Sequence, residues 1–102
     1  MIYLKIHKTE KGDMIAMCDE ELLGKDFSEG KIVLDLKTYS DFYKGDLMSR
    51  KQILGALDVA ALYSANVVGK ESVEVMQEKG MVEEGAVKMV GKVPFVQIYK
   101  IV

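Results

Sequence analysis

The chain has 102 residues, of which 49% are hydrophobic and 29% are charged, a composition typical of one soluble globular domain, which we assign to residues 1–102. Its net charge of −2 argues against a strong nonspecific polyanion binder, because such proteins usually carry a basic excess. The lone Cys18 excludes an internal disulfide, and no segment approaches the roughly 20 apolar residues of a membrane span. We therefore expect a cytoplasmic protein with no membrane contact.

Three strands are predicted at the start of the chain. Residues 2–8 alternate apolar and polar side chains, which is the period of a half-buried strand, and residues 14–18 follow a turn as the return strand of a hairpin. The segment after the hairpin is acidic and punctuated by glycine, so we expect one short helical turn and a loop there. Residues 31–36 alternate again and predict a third strand.

The principal helix has the clearest start signal in the chain. Ser49 and Gln52 have the spacing of a capping box, and Met48 and Ile53 have the spacing of a hydrophobic staple. The apolar pattern then predicts a helix over residues 53–62, with one face packed on a sheet.

The remaining elements alternate between strand and helix. Gly80 predicts the end of the second helix, with a Schellman contact between Met76 and Met81. In chain order the pattern predicts a strand, a helix, a third short helix and a closing strand, at residues 65–68, 70–79, 83–90 and 93–102. We therefore predict an α+β fold: a single domain whose mixed β-sheet opens with a β-hairpin and is covered on one face by two or three helices.

Cys18 and His7 are the only thiol and the only imidazole in the chain, and a thiol beside an imidazole can act as a nucleophile–base pair. A hairpin loop over residues 9–12 pairs Tyr3 with Cys18 and leaves His7 and Cys18 on the order of 13 Å apart. This separation predicts that Cys18 is a packed side chain rather than a nucleophile.

Motifs for metals and cofactors are absent from the sequence. No calcium-loop spacing, zinc ligand set or nucleotide-binding glycine loop occurs, so we expect no metal and no cofactor. The glycine turn at residues 68–72 is a weak candidate for holding an anion at a helix N-terminus. Because no acid, base and nucleophile converge, we expect that the protein is not an enzyme.

Residues 37–51 combine cations and aromatic rings and have a local net charge of +2. Such a combination is typical of single-stranded nucleic-acid contacts, in which cations hold phosphates and rings stack on bases. The competing interpretation is that the rings are core plugs that anchor a loop. The candidate RNA-binding residues are Lys37, Tyr39, Phe42, Tyr43, Lys44, Arg50 and Lys51.

Residues 10–30 have the opposite character, with a local net charge of −5. A run of this kind usually faces solvent. It also supports an alternative function, a protein–protein adaptor that binds its partner through this acidic edge or through the terminal strand.

Five runs in the chain resemble the small archaeal proteins of the domain-of-unknown-function 424 family. They are CDEELLGK, EGKIVLDL, FYKG, ANVVGKESVE and VPFVQIYK, at residues 18–25, 29–36, 42–45, 65–74 and 93–100. The resemblance implies a stand-alone domain with a general expectation of RNA binding connected with translation, and it implies no catalytic residues.

The sequence therefore favours a non-catalytic RNA-associated protein that acts on or near the translation machinery, with RNA or a ribonucleoprotein as its partner. In this hypothesis Tyr39, Phe42 or Tyr43 stacks on a base. Phosphates are held by the four cations of the segment, Lys37, Lys44, Arg50 and Lys51.

Overall fold

A computed structural model describes residues 1–83 and 85–99. Its strands are β1 (Ile2–Thr9), β2 (Gly12–Asp19), β3 (Asp26–Glu29), β4 (Ile32–Asp35), β5 (Asp46–Met48), β6 (Leu62–Val68), β7 (Lys88–Val90) and β8 (Val93–Tyr99). Its helices are α1 (Ser40–Tyr43), α2 (Arg50–Val59) and α3 (Lys70–Glu78), and a 3-10 turn spans Glu20–Leu22. Within these described ranges, no helix has both the length and the apolar character needed to cross a membrane.

The predicted hairpin is confirmed with its register. β1 and β2 are antiparallel, with Tyr3 opposite Cys18 and His7 opposite Met14. In the described part of the chain, the main sheet has the order β5-β1-β2-β6-β8-β7, and β3 and β4 form a separate two-stranded sheet. β2 and β6 are parallel, whereas the other pairs of the main sheet are antiparallel. The prediction of an α+β domain with a mixed sheet is therefore confirmed.

Helices α2 and α3 cover one face of the main sheet. Leu4 and Met17 point to this face from β1 and β2, and they share the buried core with Ile53 and Leu57 of α2 and Met76 of α3. Since side chains alternate along a strand, their neighbours in β1, β2, β6 and β8 point to the second face.

The second face of the sheet is covered only in part by the described residues. The β3–β4 hairpin and α1 close one end over a cluster of Cys18, Leu36, Val68 and Val93. Beyond that end, four side chains of β2, β6 and β8 lie on this face of the sheet: Met14, Asn66, Gln97 and Tyr99. We call these four residues the open face.

Both predicted helix-end motifs are confirmed. The Ser49 side chain accepts from the Gln52 backbone N–H at 3.2 Å, while the Gln52 side chain accepts from the Ser49 backbone N–H at 2.9 Å. At the end of α3 the Met81 N–H donates to the Met76 carbonyl at 3.0 Å, and Gly80 has a φ of 71°. These three hydrogen bonds join residues that are near each other in sequence, which is why the residue spacing predicted them.

Several predicted boundaries are wrong. The helix predicted over 53–62 ends at Val59, because the chain from Leu62 onward pairs in parallel with β2. The third helix predicted over 83–90 is not found in the described residues of that range, 83 and 85–90. Residues 88–90 are instead β7, which pairs with β8 across a tight turn. Of the closing strand predicted over 93–102, residues 93–99 are confirmed, and 100–102 lie outside the described residues.

The predicted third strand exists, but it does not belong to the main sheet. Residues 32–35 form β4 and pair with β3, a strand that the sequence pattern did not predict. The short edge strand β5 was also missed. It pairs with β1 through only three residues, too few to give a recognisable alternation.

Candidate nucleic-acid interface

Helix α1 is anchored on the second face of the sheet by β1. The His7 ring stacks on the Phe42 ring with centroids 4.5 Å apart and an interplanar angle of 15°. His7 Nε2 lies 2.9 Å from the Phe42 carbonyl oxygen, so this nitrogen donates the hydrogen bond. Lys5 Nζ donates to the Asp41 carbonyl at 2.6 Å. Phe42 therefore anchors α1 and is not a free stacking surface.

Tyr43 is also an anchor. Its ring meets Phe42 edge to face at 5.1 Å, and it packs against the cluster that contains Cys18 and Leu36. Burial, and secondarily the nearby Cys18 thiol, raises the pKa of Tyr43 to about 12. The competing interpretation of the aromatic rings as core plugs thus describes Phe42 and Tyr43.

Tyr39 differs from its two aromatic neighbours because 62% of its surface is exposed. It lies immediately before α1, in a turn that Asp35 organises: Asp35 Oδ1 accepts from the backbone N–H groups of Lys37 and Thr38 at 3.2 and 2.9 Å. The Thr38 backbone hydrogen bond is the main cause that lowers the pKa of Asp35. This turn presents the Tyr39 ring at the surface.

Tyr39 lines an open cleft with a volume of about 610 Å³. The cleft lies between the β4–α1 segment and β8, and most of its lining is apolar or aromatic. The lining residues that matter here are Leu34, Leu36, Tyr39, Phe42, Tyr43 and Gln97. Aliphatic and aromatic side chains next to an amide group are suited to binding a planar ligand that also forms hydrogen bonds.

Gln97 links the cleft to the rest of the open face. Its Nε2 donates to Asn66 Oδ1 at 3.3 Å, and its Oε1 accepts from the Tyr99 hydroxyl at 3.4 Å. Gln97 also lines a second cavity of about 180 Å³, together with Lys88 and Tyr99. Sequence reasoning missed this side-chain row, and the available signal was small: one amide residue, Asn66 or Gln97, within each largely apolar strand.

The predicted cations divide between the two faces of the sheet. Lys37 and Lys44 are exposed and flank α1. Arg50 begins α2, which packs on the helix-covered face, and it forms ion pairs there with Glu74 at 2.7 Å and Glu71 at 3.8 Å. Lys51 is exposed on the same helix. The structure therefore does not bring Arg50 and Lys51 together with the Tyr39 cleft. Arg50 pairs with the protein's own carboxylates at the place where a phosphate was predicted.

The helix N-terminus at residues 68–72 is likewise occupied by the protein itself. The Asp19 carboxylate accepts from the Glu71 N–H at 3.0 Å and from the Ser72 N–H at 2.8 Å. Carboxylate oxygens of Asp19, Glu21 and Glu71 lie within 4.8 Å of one another, and Asp19 is the member of this group that accepts hydrogen bonds from the first turn of α3.

The two surfaces predicted for a protein–protein adaptor, the acidic 10–30 segment and the terminal strand, do not form continuous exposed edges. Asp13 and Asp19 of the acidic 10–30 segment are buried, whereas Glu20 and Glu21 are exposed. The terminal strand β8 lies between β6 and β7. β6 pairs with residues 95–99 and β7 only with residues 93–95, so among the described residues the β7 side of 96–99 has no partner strand.

Cys18 lies in the interior, opposite Tyr3 and away from His7 in the ladder. Burial raises its pKa to about 12, with further contributions from Asp19 and Glu21. The thiolate is the reactive form of cysteine, so this environment disfavours nucleophilic chemistry at Cys18.

These elements define a small α+β domain with helices on one face of a mixed sheet and an amide-bearing cleft on the other. The family model described as "Protein of unknown function (DUF424)" matches residues 6–101, and the chain belongs to this family. The fold is similar to that of an uncharacterized conserved protein from Methanopyrus kandleri, whose crystal structure matches with a TM-score of 0.77 and 28% sequence identity over 98% of this chain and 91% of that chain. Comparison with curated proteins gave no match.

Proposed function

We propose that the protein binds single-stranded RNA on the open face of its main sheet, without catalysis. The observation that carries the proposal is the position of Tyr39, a largely exposed ring that lines the same cleft as Gln97. A ring so placed can stack on a base, and the amide beside it can bond to the base edge.

The positions of the exposed lysines also support RNA binding on this face of the sheet. Lys37 and Lys44 are exposed on either side of α1, where they can contact phosphates next to a base in the cleft, and Lys88 lines the neighbouring cavity. With a net charge of −2 and Asp35 in the cleft wall, we expect only about two to four phosphate contacts. Affinity should then be modest and should fall with added salt, with a log–log slope of about −1.4 to −2.8.

A link with translation is the narrower part of this proposal and rests on the family resemblance alone. If it holds, the protein copurifies from its native host with ribosomal material, and nuclease treatment removes that material. Copurification that survives nuclease treatment would instead favour the protein–protein adaptor.

The direct test is fluorescence anisotropy with a labelled single-stranded oligoribonucleotide. Tyr39→Ala should weaken binding by about 1–3 kcal/mol, the range for loss of one base–aromatic stack. Tyr39→Phe is the matched control, since it keeps the ring and should bind like the parent. Circular dichroism establishes that both variants are folded. If folded Tyr39→Ala binds RNA as tightly as the parent, the proposed site is wrong.

A further inference from the structure

We infer that Gln97 is the base-reading residue of the open face and that the cleft beside it prefers adenine. This inference rests on the proposed RNA-binding function and specifies its ligand. Gln97 is exposed and lines both the cleft that contains Tyr39 and the second cavity.

Among the described residues, the hydrogen bonds of Gln97 use half of the hydrogen-bonding capacity of its amide. A glutamine amide has two N–H donors and an oxygen with two acceptor positions. One N–H goes to Asn66 and one acceptor position to the Tyr99 hydroxyl. One donor and one acceptor position of the amide therefore remain for a ligand, and the two neighbours hold the amide in place.

Adenine matches this free pair better than the other bases do. The N6 amino donor of adenine has an acceptor on each side, N1 on one edge of the base and N7 on the other. Glutamine pairs with adenine through two hydrogen bonds of this kind. Guanine and cytosine offer a donor next to an acceptor on one edge only. Uracil also matches, but it has a smaller ring surface for stacking on Tyr39.

The surroundings of the cleft are complementary to a nucleotide as well. Its wall consists largely of aromatic and aliphatic side chains, including Leu34 and Leu36, which suit the faces of a base. Lys37 and Lys44 are exposed at the two ends of α1, where the phosphates of the same strand would pass.

The experiment uses the full chain and oligoribonucleotides UUUXUUU, in which X is each of the bases in turn. The parent should bind the X = A oligonucleotide about fivefold more tightly than X = U. Both bases can bond to the amide, but adenine has the larger ring for stacking on Tyr39, and about fivefold corresponds to the lower end of what one base–aromatic stack contributes. Gln97→Glu replaces the remaining donor with an acceptor. Guanine, whose N1–H and N2–H₂ groups both donate, should then become the preferred base.

The matched control is Gln77→Glu, which makes the same charge change at an exposed position of α3 on the helix-covered side. It should lower affinity for all oligonucleotides slightly and keep the adenine preference. Equal affinities for every X, or a Gln97→Glu variant with the parent's order of preference, would overturn base reading by Gln97 while leaving RNA binding in place. No binding to any oligonucleotide would overturn both proposals.

Discussion

Asp19 caps helix α3 at Ser72 from the end of a different element, strand β2. Asp19 Oδ1 accepts from the Ser72 N–H at 2.8 Å and from the Ser72 hydroxyl at 2.7 Å, while Oδ2 accepts from the Glu71 N–H at 3.0 Å. The carboxylate is only 1% exposed. It satisfies backbone donors that the first turn of a helix leaves free, and it ties α3 to the end of the sheet.

Asp19→Ala should destabilise the protein by about 1–3 kcal/mol, because it leaves buried donors of Glu71 and Ser72 without an acceptor. Urea denaturation measures the free energy of unfolding. Glu20→Ala is the matched control at the next, exposed position, and it should change stability little. Equal stabilities of the two variants would show that the cap contributes nothing.

The same carboxylate should make stability depend on pH. Burial raises the pKa of Asp19 above its ordinary value of 3.8, although the bonds from Ser72 and Glu71 oppose the rise. The folded state then holds this proton more tightly than the unfolded state. The contribution of Asp19 to the free energy of unfolding should therefore fall as the pH rises from 3.8 through the raised pKa.

Asp19→Asn does not titrate and isolates this effect. The stability of the parent minus that of Asp19→Asn should decrease with rising pH across the same window, since the other carboxylates cancel in the difference. A difference that increases with pH would mean that the pKa of Asp19 is lowered instead.

Gly69 is required by the Asp19 cap. A Cβ at position 69 would lie 2.3 Å from Asp19 Cγ, and the φ of Gly69 is 109°. Gly69→Ala should therefore cost at least about 2 kcal/mol of stability, from the clash and from the unfavourable backbone region.

Gly55 is the matched comparison, because it lies inside α2 and a Cβ there meets no atom within 4 Å. Gly55→Ala should stabilise the protein by about 0.5–1 kcal/mol through higher helix propensity. Thermal unfolding of the two variants should shift in opposite directions, and a tolerated Gly69→Ala would contradict the geometry of the cap.

Cys18 should be unreactive in the folded protein. With a pKa of about 12 and a buried position, it carries little thiolate near neutral pH. Mass spectrometry after iodoacetamide treatment should find no alkylation under native conditions and complete alkylation in denaturant. Rapid alkylation of the native chain would reopen the possibility of a catalytic thiol.

The cations should not contribute equally to RNA binding. Lys37→Ala with Lys44→Ala should weaken binding to all sequences alike and make the salt slope shallower by about 1.4, since two phosphate contacts are lost. Arg50→Ala with Lys51→Ala removes the same charge on the helix-covered side, where Arg50 is already paired with Glu71 and Glu74. A larger loss in the second double variant would move the RNA site to α2.

The sequence by itself predicted the features that depend on residues close together in the chain. The hairpin pairing of Tyr3 with Cys18, the Ser49–Gln52 capping box and the helix end at Gly80 are all confirmed. Each depends on a pattern of a few consecutive residues or on one tight turn, so distant parts of the chain have little influence on it.

Tertiary structure decided which strands pair and which side chains meet. β7 replaces a predicted helix because β8 offers it a ladder, and β4 joins β3 rather than the main sheet. The same holds for the candidate site. Tyr39 and Arg50 are close in sequence, but edge strand β5 pairs with β1 between them, and α1 and α2 pack on opposite faces of the sheet. A sequence pattern records the spacing of these residues but not the sheet edge that separates them. Gln97, far along the chain, lines the Tyr39 cleft because β8 pairs with β6 in the main sheet.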